Sequence, residues 1–101
     1  MTMNEMRPIH PGEILREEFL LPLGISGHAL AMAIHVPAPR ISEILREKRS
    51  LSPDTALRLS RYFGTTAEFW MSLQSAFDLR TARTQTMEAI ERDIRPRDVA
   101  A

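Results

Sequence analysis

The chain has 101 residues, of which 44% are hydrophobic, and its thirteen basic and thirteen acidic side chains give a formal net charge of zero. This length supplies one small domain with a single core and leaves no room for a large catalytic cleft. Cysteine is absent, which excludes disulfides and thiolate zinc sites, and no signal peptide or apolar span of roughly 20 residues is recognisable. We therefore expect a cytoplasmic protein.

The chain begins with an arm and a first helix. Residues 1–9 have no sustained period, and we predict a loose N-terminal arm. Helix 1 is predicted to begin at Pro11, because proline is tolerated in the first turn of a helix and an acidic residue follows there. Pro22 and Gly24 indicate that it ends near Leu20.

Helix 2 is predicted to begin after Ser26, whose hydroxyl can accept a hydrogen bond from an otherwise unpaired N–H group of the first turn. It should end near His35, because Pro37 disfavours helical geometry at the residue before it. The positions expected to face inward are Leu30, Ala33 and Ile34.

Helix 3 is predicted to follow at once, with Ala38 as its cap and Pro39 as its first residue. Its apolar positions recur at the spacing that buries one face of a helix. These positions are Ile41, Ile44 and Leu45. The opposite face is polar and is formed by Arg40, Ser42, Glu43, Arg46 and Glu47. Residues 40–49 carry four basic against two acidic side chains, so positive charge is concentrated beside this helix.

Helix 4 has clear start and stop signals, with Ser52 as its cap, Pro53 as its first residue and Gly64 after its last. The side chains expected to cover the rear of helices 2 and 3 are Ala56, Leu57, Leu59 and Phe63.

Helix 5 is predicted to open with a capping box formed by Thr65 and Glu68. The helix is too apolar for a single core-facing stripe, so part of it should contact a second chain. The candidate dimer residues are Phe69, Trp70, Leu73 and Phe77. For Trp70, an ordinary place in the core is as good an interpretation. After residue 80 the composition becomes polar, and we expect residues 81–101 to be a short helix or partly disordered.

Ala31, the turn at His35 and Val36, and the apolar pair Ile41 and Ile44 resemble the helix-turn-helix of the Xre and Cro family. The blocks MRPIHPGEILREEFLLPLGIS and SLSPDTALRLSRYFGTTAEFWMSLQSAFDL resemble the HigA (VapI-like) antitoxins of bacterial toxin–antitoxin operons, over about residues 6–80. The resemblance implies an all-α, five-helix domain of the lambda-repressor type over residues 10–80. Family members usually begin helix 2 with glutamine and place glycine in the turn, whereas this chain has Gly27 and His35.

In such a domain helix 3 lies in the major groove, where arginine can donate two hydrogen bonds to guanine. The expected base-reading residues are Ala38, Pro39, Arg40, Ser42, Glu43 and Arg46. The expected phosphate contacts are Ser26, His28, Lys48 and Arg49. Arg40 suits a phosphate equally well, and Glu43 suits the alternative of holding Arg46 or Lys48 in place.

The resemblance implies an antitoxin that binds operator DNA as a homodimer, represses its operon and neutralises a small, basic, RelE-like toxin that cleaves mRNA. Helix 1 and the tail are the surfaces expected to meet such a toxin. The alternatives are a stand-alone repressor without a toxin, and an interaction module with weakened DNA binding. We expect no enzyme activity and no cofactor. We also expect no metal, because His10, His28 and His35 lack a ligand spacing and nearby acidic partners.

Overall fold

The computed structural model describes residues 7–98, and every regular element within this range is helical. In chain order the elements are α1, built from the consecutive segments Pro11–Ile14, Leu15–Leu20 and Leu21–Leu23; α2, Gly27–Ile34; α3, Ala38–Leu45; α4, Pro53–Phe63; and α5, Ala67–Asp93. This architecture confirms the predicted all-α fold of five helices. None of the helices described has the length and apolar character needed to span a membrane.

Helix α1 is longer than its sequence predicts. Its middle segment, Leu15–Leu20, is a π-helix, and the helix then continues through Pro22 to Leu23. The wider π turn provides space for the proline ring, which in a regular α-helix clashes with the carbonyl four residues earlier. The helix ends at Gly24, whose left-handed conformation (φ 66°) allows Ile25 N–H to donate to Leu20 O at 3.0 Å. The predicted end near Leu20 is therefore wrong by one turn.

The core is formed where α1, α2, α3, α4 and the first turns of α5 meet. Its buried apolar residues are Leu15, Leu20, Leu30, Ala31, Ile34, Val36, Ile41, Ile44, Leu51, Ala56, Leu59 and Trp70. Two inward predictions are wrong, because Ala33 and Leu57 are exposed. Each lies one residue from a buried position, and one residue rotates a side chain by about 100° around a helix, away from the core.

Helix α5 begins one residue later than predicted. Thr66 Oγ1 accepts a hydrogen bond from Phe69 N–H at 3.0 Å and is the cap, whereas Thr65 Oγ1 accepts from Trp70 Nε1–H at 2.8 Å. The helix then runs without a break to Asp93, so it passes through the boundary that we placed at residue 80. Residues 1–6 of the predicted arm and residues 99–101 of the predicted extension lie outside the described residues.

Two contacts fix the position of α3 relative to the other helices. Gly12 of α1 lies against α3 so closely that a Cβ atom at this position would be 1.9 Å from the carbonyl oxygen of Ile44. Beyond the end of α3, Leu51 N–H donates to Gln74 Oε1 of α5 at 2.7 Å. Helix α1 therefore packs directly on α3, and the loop that follows α3 is anchored to α5, so the outward face of α3 is presented on a rigid support.

Candidate nucleic-acid interface

Helix α2 begins and ends as its sequence predicts. Ser26 Oγ accepts a hydrogen bond from Ala29 N–H at 3.0 Å. At the other end, His35 is left-handed (φ 60°, ψ 49°), and Val36 N–H donates to Ala31 O at 3.0 Å. This is the geometry of a Schellman turn, in which glycine is the usual residue. The predicted turn at His35 is confirmed, although the side chain makes the left-handed conformation strained.

Helix α3 presents the polar face expected of a recognition helix. Ile41 and Ile44 are buried, and the outward residues follow between them. The helix begins one residue earlier than predicted, because Pro37 occupies the cap position and Ala38 is the first helical residue. Arg46 lies just beyond the last turn, at the C-cap.

The loop after α3 is also a Schellman turn. Glu47 is left-handed (φ 63°), its N–H donates to Ile44 O at 2.9 Å, and Lys48 N–H donates to Glu43 O at 2.8 Å. The two helices of the motif thus end in the same way, each with a left-handed residue that is not glycine. This conformation fixes the path of the basic residues that follow α3.

Two arginines from outside the motif complete these helix ends. Arg58 of α4 donates through Nη1 to the carbonyl oxygens of Ile34 at 3.0 Å and His35 at 3.3 Å, and its Nε pairs with Asp54 at 2.9 Å. Arg16 of α1 donates through Nη1 to Leu45 O. Cations favour the negative end of a helix dipole and satisfy carbonyls that have no partner within the helix.

Arg16 makes two further contacts, both with carboxylates. Its Nε lies 3.0 Å from Glu17 Oε2, and its Nη2 lies 3.5 Å from Glu47 Oε2. The hydrogen bond from Arg16 to Glu17 raises the arginine pKa above its usual value, with the charge of Glu47 as a smaller cause. Arg16 therefore stays charged and links α1 to the turn that ends the recognition helix. The sequence gives no local signal for this role, because Leu45 and Glu47 are distant from Arg16 along the chain.

Ion pairs divide the basic residues around α3 into two groups. Arg49 Nε lies 2.7 Å from Glu43 Oε1, so Glu43 holds Arg49 and not Arg46 or Lys48, which corrects that alternative. Over residues 7–98, the side chains of Arg40, Arg46 and Lys48 form no ion pair. Arg46 and Lys48 are exposed and Arg40 is half-buried. Unpaired cations are therefore available on the outward side of the motif.

A shallow groove of about 350 Å³ runs between the start of α2 and α3. It is lined by Gly27, His28, Ala38, Ser42, Leu45 and Arg46. Four of these were predicted to contact DNA, and the structure brings them together. Gly27 lies close to α3, since a Cβ atom there would be 2.9 Å from Leu45 Cδ1. Of the six remaining predicted contacts, Arg40 and Glu43 are half-buried, and the other four are exposed on neighbouring turns: Ser26, Pro39, Lys48 and Arg49.

His10 has a structural role and does not form a separate functional site. Its Nδ1 accepts from Gly12 N–H at 2.8 Å, its ring meets the edge of Phe77 at 4.9 Å, and it is buried. Burial lowers the His10 pKa below its usual value, against the opposing charges of Glu47 and Asp78 and the Arg49 backbone. Among the residues described, no cluster of three or more histidines and carboxylates is placed to hold a metal ion.

The predicted dimer residues differ in their surroundings. Trp70 has no exposed surface, and its ring lies 5.0 Å from that of Phe19, so it belongs to the core and not to an interface. Phe69 is 39% exposed, while Leu73 and Phe77 are half-buried. The structure thus leaves part of the predicted set at the surface of α5.

Two short helices joined by a tight turn, with a buried apolar side and an unpaired basic face, define a helix-turn-helix DNA-binding domain. The helix-turn-helix family model HTH_3 matches residues 15–70. The chain belongs to this Xre-type family, and its homologues include the HigA and VapI-like proteins that its sequence resembles. Similar proteins include HTH-type transcriptional regulators and antitoxins.

Three similar proteins illustrate this relationship. Virulence-associated protein I of Dichelobacter nodosus is 61% identical over 79 residues, covering 78% of this chain and 73% of the relative. Antitoxin HigA-1 of Vibrio cholerae is 36% identical over 88 residues, covering 87% and 83%. The structure of Pseudomonas aeruginosa antitoxin HigA with the higBA promoter has a TM-score of 0.88 and 54% identity, covering 89% of this chain and 98% of that one.

Proposed function

We propose that this chain is the antitoxin of a type II toxin–antitoxin pair. It binds operator DNA as a homodimer, represses its own operon and neutralises a RelE-like toxin that cleaves mRNA. The observation that carries DNA binding is the set of unpaired cations on the recognition helix and the turn after it, where Arg16 of α1 donates to the last carbonyl of the helix. The similarity to an antitoxin solved with its promoter supports the same function.

The residues that contact bases are those that line the groove and the outer side of α3. Arg46 has no carboxylate partner in the described range and stands at the end of α3, where its guanidinium can reach guanine O6 and N7. Ser42 lies one turn earlier on the same face, and Ala38 and Pro39 provide methyl and methylene groups for a thymine methyl. Arg40 is half-buried, which suits a short reach to a phosphate beside the helix N-terminus.

Phosphate contacts come from both ends of the motif. The start of α2 offers free backbone N–H groups next to Ser26 and His28, and helix N-termini favour anions. Lys48 and Arg49 follow the Schellman turn on the other side of the groove. Arg49 is partly neutralised by Glu43, so Lys48 is the stronger of the two. These contacts position the protein on DNA without reading its sequence.

A homodimer presents two copies of the motif, one to each half-site of an operator. One small domain reads few base pairs, whereas two recognition helices one DNA turn apart read a palindrome. Helix α5 is the surface for this contact, because Leu79 and Ile90 on it and Ile94 at its C-cap are exposed large apolar side chains. Exposed apolar area of this kind marks interaction sites.

Toxin binding rests on family similarity and on charge. Ribonucleases need a positive surface for RNA, so an antitoxin that blocks this surface should offer carboxylates. Helix α1 carries the exposed carboxylates Glu17 and Glu18, of which Glu17 pairs with Arg16. Co-expression with the product of the adjacent open reading frame tests this part. Co-purification of a small basic partner supports the antitoxin, and its absence supports a stand-alone repressor.

Operator binding is tested with Arg46→Ala. We expect it to weaken binding to the operator by about 1–3 kcal/mol and to have a smaller effect on a scrambled duplex of the same length. The matched control is Arg61→Ala, which removes an exposed arginine of α4 away from the groove and should leave operator affinity unchanged. Equal losses on both duplexes would show that Arg46 positions the protein and does not read a base.

A further inference from the structure

Glu43 places a negative charge on the side of α3 that is proposed to meet DNA. Arg46 follows it one turn later, so the two side chains share the outward face of the helix. Glu43 is half-buried, and its Oε1 accepts a hydrogen bond from Arg49 Nε at 2.7 Å. A carboxylate in this position repels the phosphates of a duplex unless a partner balances its charge.

The turn after α3 brings Arg49 back to Glu43. Lys48 N–H donates to Glu43 O at 2.8 Å, which closes the Schellman turn and folds the chain over the end of the helix. Two residues beyond Arg49, Leu51 N–H donates to Gln74 Oε1 at 2.7 Å and fixes the loop to α5. The main chain around Arg49 is therefore held on both sides, and only its side chain is free to change partner.

The ion pair between Glu43 and Arg49 is open to exchange. The two side chains are 38% and 50% exposed, and pairs that exposed contribute little stability. A phosphate group offers the guanidinium the same kind of charged oxygen acceptor. While Glu43 holds Arg49, the two charges cancel, and the arginine adds no net attraction for DNA. Lys48, in contrast, forms no ion pair over residues 7–98 and attracts phosphate on any sequence.

Exchange has a cost, because it leaves the Glu43 carboxylate alone beside the bases. In the major groove cytosine presents an N4 amine that donates to a carboxylate, whereas guanine and thymine present acceptors there, and adenine places its N7 acceptor beside its amine. A carboxylate that faces acceptors loses its water and gains no hydrogen bond, which costs more than a formed hydrogen bond contributes. Arg49 therefore leaves Glu43 favourably only where a cytosine amine replaces it.

We propose that Glu43 makes the phosphate contact of Arg49 depend on the base sequence. On the operator, Glu43 accepts from a cytosine amine and Arg49 turns to a phosphate, whereas on other sequences the pair remains closed. This inference rests on the proposed operator binding and assigns Glu43 as a specificity-determining residue within it. A single carboxylate thus discriminates twice, through its own base contact and through the phosphate contact that the base contact releases.

Salt dependence distinguishes a conditional phosphate contact from a permanent one. Each neutralised phosphate adds about 0.9 to the slope of log affinity against log salt concentration. In a dimer the two Arg49 side chains therefore add about 1.8 to the slope on the operator and nothing to the slope on a scrambled duplex. Between about 50 and 200 mM salt, this difference reduces the preference for the operator roughly tenfold.

The test measures these slopes for Glu43→Gln and Arg49→Ala, on a duplex from the promoter of the chain's own gene and on a scrambled duplex. The amide oxygen of glutamine still accepts from cytosine, but the loss of the negative charge frees Arg49 on every sequence. Glu43→Gln should therefore steepen the slope on the scrambled duplex by about 1.8 and leave the operator slope unchanged. Arg49→Ala should lower the operator slope by about 1.8 and leave the scrambled slope unchanged.

Two controls show whether Glu43 acts through Arg49. The double variant, Glu43→Gln with Arg49→Ala, should return the scrambled slope to the wild-type value. Glu47→Gln removes an equal charge from the adjacent turn, where the partner is Arg16 at 3.5 Å. Arg16 also pairs with Glu17 and stays neutralised, so Glu47→Gln should leave both slopes unchanged. Circular dichroism should show wild-type helicity throughout, because each replaced side chain is more than a third exposed.

The outcomes separate this inference from the proposed function. Equal losses of slope on both duplexes in Arg49→Ala, or no loss on either, would overturn the conditional contact. An unchanged scrambled slope in Glu43→Gln, or an equal steepening in Glu47→Gln, would overturn it as well. A wild-type preference for the operator that persists in these cases leaves the proposed function standing. A wild-type chain that binds neither duplex, or binds both alike with a flat salt dependence, overturns both.

Discussion

Replacing Gly12 with alanine is expected to destabilise the domain, although alanine is the better helix former. In an open helical position this change is stabilising by about 0.5–1 kcal/mol. Here the added Cβ would lie 1.9 Å from the carbonyl oxygen and 2.9 Å from the carbonyl carbon of Ile44. Both atoms belong to the backbone of the recognition helix and cannot rotate away. The sign of the effect therefore depends on the packing of α1 against α3.

The structure also gives the magnitude. To reach an ordinary contact, the two backbones must separate by more than about 1 Å, which disturbs the core around Ile44. Overpacking of a core costs typically about 1–3 kcal/mol and more when the backbone must move. The displacement also strains the hydrogen bond from Gly12 N–H to His10 Nδ1. We expect a loss of about 3 kcal/mol, which corresponds to roughly 12–24 °C in melting temperature for a domain of this size.

The assay is urea unfolding followed by circular dichroism, with Gly64→Ala as the matched control. Gly64 is left-handed (φ 78°) and has nothing within 4 Å of a Cβ atom, so alanine there costs only the backbone strain of about 1–2 kcal/mol. Gly12→Ala should be clearly the more damaging of the two. If it is neutral or stabilising, the close approach of α1 to the recognition helix is wrong.

Two further predictions concern histidines. His35→Gly should stabilise the domain by about 1 kcal/mol in urea unfolding, because it removes left-handed strain from an exposed residue; an unchanged midpoint would contradict that strain. Burial lowers the pKa of His10, so the folded state favours its neutral form and stability should fall as pH drops below about 6.5, the usual value in an unfolded chain. His10→Asn keeps a capping oxygen without this titration, and unfolding between pH 7.5 and 5.5 should show a shallower pH dependence than in the wild type. Glu13, whose pKa is lowered by its hydrogen bond from Arg7, titrates below this window. Equal slopes in both proteins would assign the pH effect to other groups.

Helix starts and turns were predictable because their causes are local. Ser26 and Ser52 each bond to an N–H group three residues later, and this geometry is written into the adjacent sequence. The cap of α5 was placed one residue early because Thr65 and Thr66 are chemically equivalent. Only the position of Trp70 shows that Thr65 serves the indole N–H.

The support of the recognition motif was not predictable, because it depends on distant residues. Arg16 is 29 positions from Leu45, and Arg58 is 24 positions from Ile34. On a helical wheel both arginines lie on the polar, solvent-facing side. The sequence does not indicate which backbone carbonyls they reach. The sequence also did not indicate the left-handed conformation of Glu47, because neither glycine nor asparagine occurs at that position.

The predictions of which helix positions face the core, and of the length of α5, were wrong for related reasons. Alanine and leucine suit both sides of an amphipathic helix at its edge, so Ala33 and Leu57 were assigned inward although they are exposed. The length of α5 was underestimated because its distal half is polar. No proline or glycine interrupts residues 67–93, however, and local propensity is sufficient to continue the helix there.

The central claim is that a dimer of this chain reads an operator through α3, and salt-dependent titration of operator DNA tests it most directly. Lys48 and Arg49 of two subunits give about four phosphate contacts, so affinity should fall about 100-fold between 50 and 200 mM salt. At each salt concentration, the operator should bind more tightly than a scrambled duplex. A flat salt dependence with equal affinity for both duplexes would contradict the claim and indicate an interaction module that does not bind DNA.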